Sequence, residues 1–336
     1  MNMQRTKSVA SPNSPVRAEA CQGSPSRRVR RDVKEAVERI WKGAVHWNRP
    51  LASCSTLGVG GPAEALIFPE NEKELVDLLQ DLRQQALPWQ VIGRGSNILV
   101  ADRGLPGVVI VLGSRFAAIT RERESGQELV RAEAGCSLPT LVRWCAEQGL
   151  SGFEFAVGIP GSVGGAVVMN AGAWGSDMSG VLDSFVIVDE SGRRQDLAAA
   201  AETFGYRRWQ SRAKSVVVAA RFKVRPAERL AIETRCRRYL QERKEKQPQS
   251  PSAGSFFKNP PGQAAGRLIE QAGLKGTRIG GAMVSPRHAN FLVNTGRATA
   301  EDFVSLMRLV QNRVRESAGI ELEPEVQLLG FEEGTA

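Results

Sequence analysis

Two glycine-dense stretches constrain the fold of this chain most: Gly93-Arg94-Gly95-Ser96-Asn97 and Gly158-Ile159-Pro160-Gly161-Ser162-Val163-Gly164-Gly165-Ala166. Trp89-Gln90-Val91-Ile92 reads as a strand entering the first, and Ile98-Leu99-Val100 as a strand leaving it. A P-loop would need Gly-Lys-Ser/Thr and a helix at this point. Successive N–H groups of such a turn either form an anion nest suited to pyrophosphate oxygens or simply close the turn. The second stretch runs at once into Val167-Val168-Met169-Asn170-Ala171-Gly172-Ala173-Trp174-Gly175, with more glycines than one turn uses. Two nests roughly sixty residues apart, each bounded by apolar strand, predict a bipartite cradle for a dinucleotide lying across a sheet.

An earlier glycine run, Gly58-Val59-Gly60-Gly61-Pro62-Ala63, matches Gly-x-Gly-x-x-Ala. The Rossmann reading fails, because the fingerprint follows a strand and opens a helix, whereas Pro50 precedes it and Pro62 falls inside it. A glycine hairpin and a ligand-lining loop both stay open here.

Ser252-Ala253-Gly254-Ser255-Phe256-Phe257-Lys258-Asn259-Pro260 places one hydroxyl between a glycine and two aromatics able to exclude water, with an ammonium three residues on. Ser255-x-x-Lys258 also matches the acylating serine of penicillin-binding proteins. There the pair opens a helix, which Pro260-Pro261 forbids, and no Ser-Asp-Asn or Lys-Thr-Gly accompanies it. Phe204-Gly205-Tyr206-Arg207 sets a guanidinium beside an aromatic, either as a stacked surface arginine or as a fixed cation for a carboxylate or enolate.

Helices are expected over Arg31–Ala44, after an Asn71 cap, over Leu138–Gln148, Ala227–Lys244 and Ala264–Ala272, and after the Thr299-x-x-Asp302 cap. Strands are expected at Ala65–Phe68, Val108–Leu112, Leu129–Ala134, Ser184–Val188, Val216–Val224, Gly280–Val284 and Asn290–Asn294, with a last one after Leu322-Glu323-Pro324-Glu325. The implied division is a disordered basic tail (1–30), two α+β subdomains (31–107 and 108–226), a substrate domain (227–330) and a short tail (331–336).

Charge argues against a nucleic-acid binder, because residues 1–31 hold seven Lys/Arg against Glu19 and leave the rest of the chain only +3 of the +9 net charge. Cys21, Cys54, Cys136, Cys145 and Cys236 form no Cys-x-x-Cys pair and suit a reducing cytosol. With His46 and His288 as the only histidines, no histidine-built metal site is expected, and no apolar run is long enough to span a membrane.

In order and spacing, Gly93-x-Gly-Ser-Asn97, Pro160-Gly161-x-x-Gly164-Gly165, Asn170-Ala171-Gly172, Phe204-Gly205-Tyr206-Arg207, Gly254–Pro260 and Leu322-Glu323-Pro324-Glu325 resemble the UDP-N-acetylenolpyruvoylglucosamine reductases, from about Cys54 to Leu329. The resemblance implies an α+β flavin fold of the vanillyl-alcohol-oxidase/PCMH type. FAD would be non-covalent, since neither histidine lies in a glycine nest, and NADPH would be the reductant. The second ligand would be the enolpyruvyl ether of UDP-N-acetylglucosamine, bound by a monomer. By motif, Ser255 matches the family's proton donor to carbon, Arg207 its cation, and Glu325 the carboxyl group that polarises the substrate. Tyr206, Lys258 and Asn259 fall to substrate binding. Gly93, Arg94, Gly95, Ser96, Asn97, Gly158, Ile159, Pro160, Gly161, Ser162, Gly164, Gly165, Asn170, Ala171 and Gly172 fall to the flavin. Trp209 stands where serine is usual and Trp174 where tyrosine is. Only Pro260–Ala265 separates Asn259 from Gly266, so the chain resembles the short subtype that lacks an inserted tyrosine segment.

Overall fold

The structure, a computed structural model, describes residues 27–211, 214–332 and 334. Most of the expected basic tail, residues 1–26, lies outside them, as does Cys21. The first helix, α1 (Arg27–Ile40), starts before the predicted Arg31 and buries Val33 and Val37, with Trp41 just beyond its end.

The first subdomain is a four-stranded sheet. Its strands are β1 (Val45–Pro50), β2 (Pro62–Ile67), β3 (Trp89–Ile92) and β5 (Leu105–Val111), in the order β1-β2-β5-β3. β5 is parallel to both β2 and β3. Between β2 and β3 runs α2 (Glu72–Gln84), capped by Asn71, whose side chain accepts from Glu74 N. Leu75, Leu78, Leu79 and Leu82 recur at helical spacing on its buried face. The short β4 (Ile98–Val100) leaves this sheet and pairs, parallel, with Gln327–Leu329 at the other end of the chain.

The second subdomain is a five-stranded antiparallel sheet. Its order is Arg194–Ala198, Leu182–Asp189, Ser215–Lys223, β7 (Gln127–Glu133), β6 (Ile119–Glu124). Against it pack α3 (Leu138–Glu147) and α4 (Val163–Val168). A third unit holds three short strands with α6 (Ala265–Gln271) and α7 (Ala300–Ala318), around Phe256, Phe303 and Met307. The capping box of α7 forms as expected, Thr299 and Asp302 serving each other's backbone N–H.

Several expectations are corrected. The second glycine loop is not followed by a strand: Ser162 caps α4 by accepting from Gly165 N. Gly164 lets that helix sit on the sheet, since a Cβ there would lie 2.8 Å from the Ala134 methyl. The division at 107/108 cuts through β5. The helix α5 (Arg229–Lys246) belongs with the second subdomain, where buried Glu154 accepts from Arg235 Nη1 at 3.0 Å. The third unit therefore starts near residue 247, twenty residues later than expected. The Gly58–Ala63 loop is packing, not ligand lining: Gly61 N donates to Ala101 O, and a Cβ on Gly61 would meet Asp102 O at 2.1 Å. The strands β1, β6 and Arg194–Ala198 were not expected; they are largely exposed edge strands whose solvent-facing residues carry no apolar pattern.

The third unit is tied to the first at both ends. Asp102 accepts from Ala300 N and Glu301 N at the start of α7. Thr56 Oγ1 donates to Ser252 O at 2.7 Å, while its backbone N–H donates to Gly95 O.

Candidate active site

A trough of about 700 Å³ runs where the three units meet. Both glycine loops line it and face each other. A Cβ on Gly93 would come within 2.6 Å of Ser162 Oγ, and one on Gly161 within 3.4 Å of Ser96 Oγ. Gly95 adopts φ 64°, and a Cβ there would lie 1.8 Å from Cys54 O, so only glycine fits. Of the residues expected at a flavin, Gly93–Asn97, Gly158–Ser162, Gly164, Gly165, Ala171 and Gly172 all line the trough. Asn170 does not. It is buried at φ 41°, donates to Asp177 and Gly205 O and accepts from Ser179 N, which ties the Gly172 turn to the Gly205 hairpin.

Ser255, Arg207 and Glu325 line the same trough from three separate segments. Ser255 follows Gly254, at φ 76°, in an irregular stretch whose flanks are pinned. Phe256 N donates to Asn290 O at 2.7 Å, Phe257 N to Asn290 Oδ1, and Asn290 Nδ2 returns to Phe257 O. Phe256 and Phe257 are not a water shield over the trough. They are fully buried in the third unit's core, Phe256 stacked near Phe303, and anchor the serine from behind. The Glu325 segment runs alongside: Glu325 N donates to Phe256 O at 2.8 Å, Lys258 N to Glu323 O, and Asn97 Nδ2 to Glu325 O at 3.0 Å. The Glu325 backbone is thereby fixed to both the serine segment and the first glycine loop.

Arg207 sits at the tip of a two-residue hairpin between Phe204–Gly205 and Arg208–Trp209, at φ 58°. Such a conformation costs a non-glycine residue about 1–2 kcal/mol and is held by its surroundings. Trp209 supplies much of that hold, buried edge-on against Phe185 and donating Nε1–H to Glu202 at 3.0 Å. Arg207 Nη2 donates to Gly172 O, and Nε lies 2.8 Å from Glu325 Oε1. The Nε–H is not aimed at that oxygen, however, and has no aligned acceptor although it is buried. Burial raises the Glu325 pKa above the ordinary carboxyl value, outweighing the downward pull of Arg207.

Three residues expected to touch substrate lie elsewhere. Tyr206 is half exposed under the Arg207 guanidinium, Lys258 pairs with Glu323 at 2.9 Å, and Asn259 accepts from Ala265 N at the start of α6. None lines the trough.

Arg243 is one of the trough residues that the sequence reading did not single out. Arg243, in the last turn of α5, has its guanidinium 4.5 Å from the centroid of the Trp174 ring, which itself stacks on Tyr239 at 4.3 Å. Its Nε–H is buried without a partner, and burial, reinforced by Arg207, brings its pKa down to about 10. Nothing in its local pattern separates it from Arg235, Arg237 or Arg238.

Two buried guanidinium Nε–H groups without an aligned acceptor, beside two loops that at Gly93, Gly95 and Gly164 leave no room for a Cβ, suit an elongated anionic ligand such as a dinucleotide. His46 packs against Phe68 and His288 against Phe291, and neither lines the trough. Among the described residues no His/Cys/Asp/Glu group is placed to hold a metal ion, and no helix is long and apolar enough to cross a membrane.

Residues 246–329 match the family model of the UDP-N-acetylenolpyruvoylglucosamine reductase C-terminal domain, and residues 63–198 that of an FAD binding domain. A UDP-N-acetylenolpyruvoylglucosamine reductase from Syntrophus aciditrophicus is 42% identical over 299 residues, covering 89% of this chain and 96% of the relative. One from Heliobacterium modesticaldum is 42% identical over 297 residues, covering 88% and 93%. The crystal structure of UDP-N-acetylenolpyruvylglucosamine reductase from Thermus caldophilus superposes with a TM-score of 0.74 at 39% identity, covering 85% of this chain and 99% of that one. The fold is thus the α+β, PCMH-type FAD-binding fold with a C-terminal α+β domain. Similarity of this extent, running through both halves of the trough, makes the chain a member of the UDP-N-acetylenolpyruvoylglucosamine reductase family.

Proposed function

We propose that the trough is the active site of an FAD-containing, NADPH-dependent reductase. It converts the enolpyruvyl ether of UDP-N-acetylglucosamine into UDP-N-acetylmuramate, a precursor of peptidoglycan. The observation that carries this reading is the convergence of Ser255, Arg207 and Glu325 on one trough that both glycine loops line. The glycine loops would hold FAD, which when bound takes hydride from NADPH and supplies it to the terminal carbon of the enolpyruvyl group.

The chain's own residues handle the charge and the proton. Hydride arrival at the methylene carbon leaves an electron pair on the adjacent carbon, delocalised into the carboxylate. Arg207 is placed to meet that charge: its guanidinium lines the trough, held by Gly172 O and set beside Glu325. Glu325, whose pKa burial raises, would in its neutral form donate a hydrogen bond to the same carboxylate as negative charge builds. Ser255 then gives its hydroxyl proton to the adjacent carbon and is reprotonated from solvent. A serine is a weak acid in bulk water, yet a carbanion-like carbon in contact with it is basic enough to take the proton. Arg243, the second buried cation with a free N–H, is assigned to an anionic group of the nucleotide ligands.

In this reading the monomer is the active unit. The four described cysteines are free, in keeping with a reducing cytosol. The test is purified protein analysed for flavin and for NADPH consumption. FAD should be released on denaturation, and NADPH oxidation should depend on the enolpyruvyl sugar nucleotide. Absence of flavin, or NADPH consumption driven only by oxygen, would overturn the proposal, the latter in favour of an oxidase of the same fold.

A further inference from the structure

The trough has a second end, far from Ser255, where the structure places a cation with no part in the reduction. β3 runs from Trp89 to Ile92 and delivers Gly93, so Trp89 lies about 13 Å up the strand from the first glycine loop. The loop's other end touches the reacting groups, through Asn97 to Glu325 and through Gly95 and Thr56 to Ser252. The order along the trough is therefore Trp89, glycine loops, Ser255 and Glu325. A dinucleotide flavin with its ring at Ser255 and its diphosphate at the loops would put its adenosine toward Trp89.

At that end Lys214 folds over Trp89. Its Nζ donates to Trp89 O at 2.7 Å and stands 3.9 Å from the indole centroid. Beside it, the strand Ser215–Lys223 pairs with β7 only from Ala219 onward. Ser215, Val216 and Val217 thus leave one strand edge without a ladder partner, and all three line the trough. An open strand edge offers N–H and C=O groups together, the complement of a purine edge that carries both a donor and an acceptor.

We propose that Lys214, seated on Trp89 beside the open Ser215–Val217 edge, is the residue that recognises the adenosine of the flavin and sets a preference for FAD over FMN. The inference rests on the FAD reading above and adds to it the group that selects the dinucleotide. Lys214 contacts the purine nucleoside with an ammonium already partly stripped of water, so little further desolvation is needed on binding. Its removal therefore acts on the half of FAD that FMN lacks.

The test uses the full chain freed of flavin and titrated with FAD and with FMN, following quenching of flavin fluorescence, in wild type, Lys214→Met and Lys214→Arg. Wild type should bind FAD more tightly than FMN. Lys214→Met should weaken FAD about tenfold and change FMN less than about twofold, and Lys214→Arg should retain most of the FAD affinity. An unchanged FAD affinity, or equal losses for both flavins, would overturn the assignment of Lys214 while leaving the enzyme reading intact. Failure of wild type to bind FAD at all would remove the enzyme reading itself.

Discussion

Replacing Ser255 by alanine separates chemistry from architecture more cleanly than any other change in the site. The serine's neighbours are fixed by backbone bonds that do not use its side chain: Phe256 N to Asn290 O, Phe257 N to Asn290 Oδ1 and Glu325 N to Phe256 O. The hydroxyl itself makes no hydrogen bond among the described residues. Its loss should therefore change folding stability by less than about 0.5 kcal/mol. Loss of a positioned proton donor should instead slow carbon protonation roughly a hundred- to ten-thousandfold, or about 3–5 kcal/mol of barrier. Anaerobic stopped-flow absorbance resolves the two halves of the cycle. Bleaching of the flavin by NADPH should keep its rate within about twofold, and recovery of the flavin band on adding the enolpyruvyl sugar nucleotide should collapse. Equal slowing of both halves, or a large loss of stability, would mean that Ser255 shapes the trough and gives no proton.

Gly95→Ala forces a Cβ to within 1.8 Å of Cys54 O at φ 64° and should cost about 2–4 kcal/mol in urea unfolding, with weaker flavin retention on gel filtration. Trp209→Ala removes the anchor of the Arg207 hairpin; it should cost about 3–5 kcal/mol of stability and slow the enolpyruvyl half-reaction more than flavin reduction. The Glu325 pKa is raised in the folded protein, so the native state holds the extra proton between the ordinary value of 4.5 and the raised one. Stability contributed by the neutral form is then lost as pH rises through that window. The difference in denaturation midpoint between wild type and Glu325→Gln should vary with pH across it and flatten above it; no pH dependence would contradict the buried, proton-holding carboxyl.

Much of this was legible in the sequence, and the failures share physical causes. Glycine loops, caps and prolines are local signals, so Gly93–Asn97, the Asn71 cap and the Thr299 box read correctly. The strand expected after the second glycine loop was misread because Val167-Val168-Met169 fits either state when short; Ser162 and Gly164 decide it through a cap and a close approach. Asn170, Lys258 and Asn259 sit in motif segments, yet none lines the trough, and their side chains bond to neighbouring segments instead. Arg243 was missed for the opposite reason: an arginine in a charged helix becomes special only when its helix packs across a pocket that sequence distance hides. The domain border at 227 failed because α5 carries too few apolar residues to announce which core it serves; Cys236 and Tyr239 against the second subdomain's core, and the pairing of half-exposed Arg235 with buried Glu154, decide it.

The most direct measurement is a crystal structure of the protein with oxidised FAD and the enolpyruvyl sugar nucleotide, a complex that cannot turn over because the flavin has no hydride to give. It should place Ser255 Oγ within about 3.5 Å of the carbon bearing the carboxylate, with Arg207 and Glu325 both on that carboxylate. An enolpyruvyl group lying beyond the reach of Ser255, or a carboxylate held by other residues, would contradict the assignment of the three groups to one reacting carbon pair.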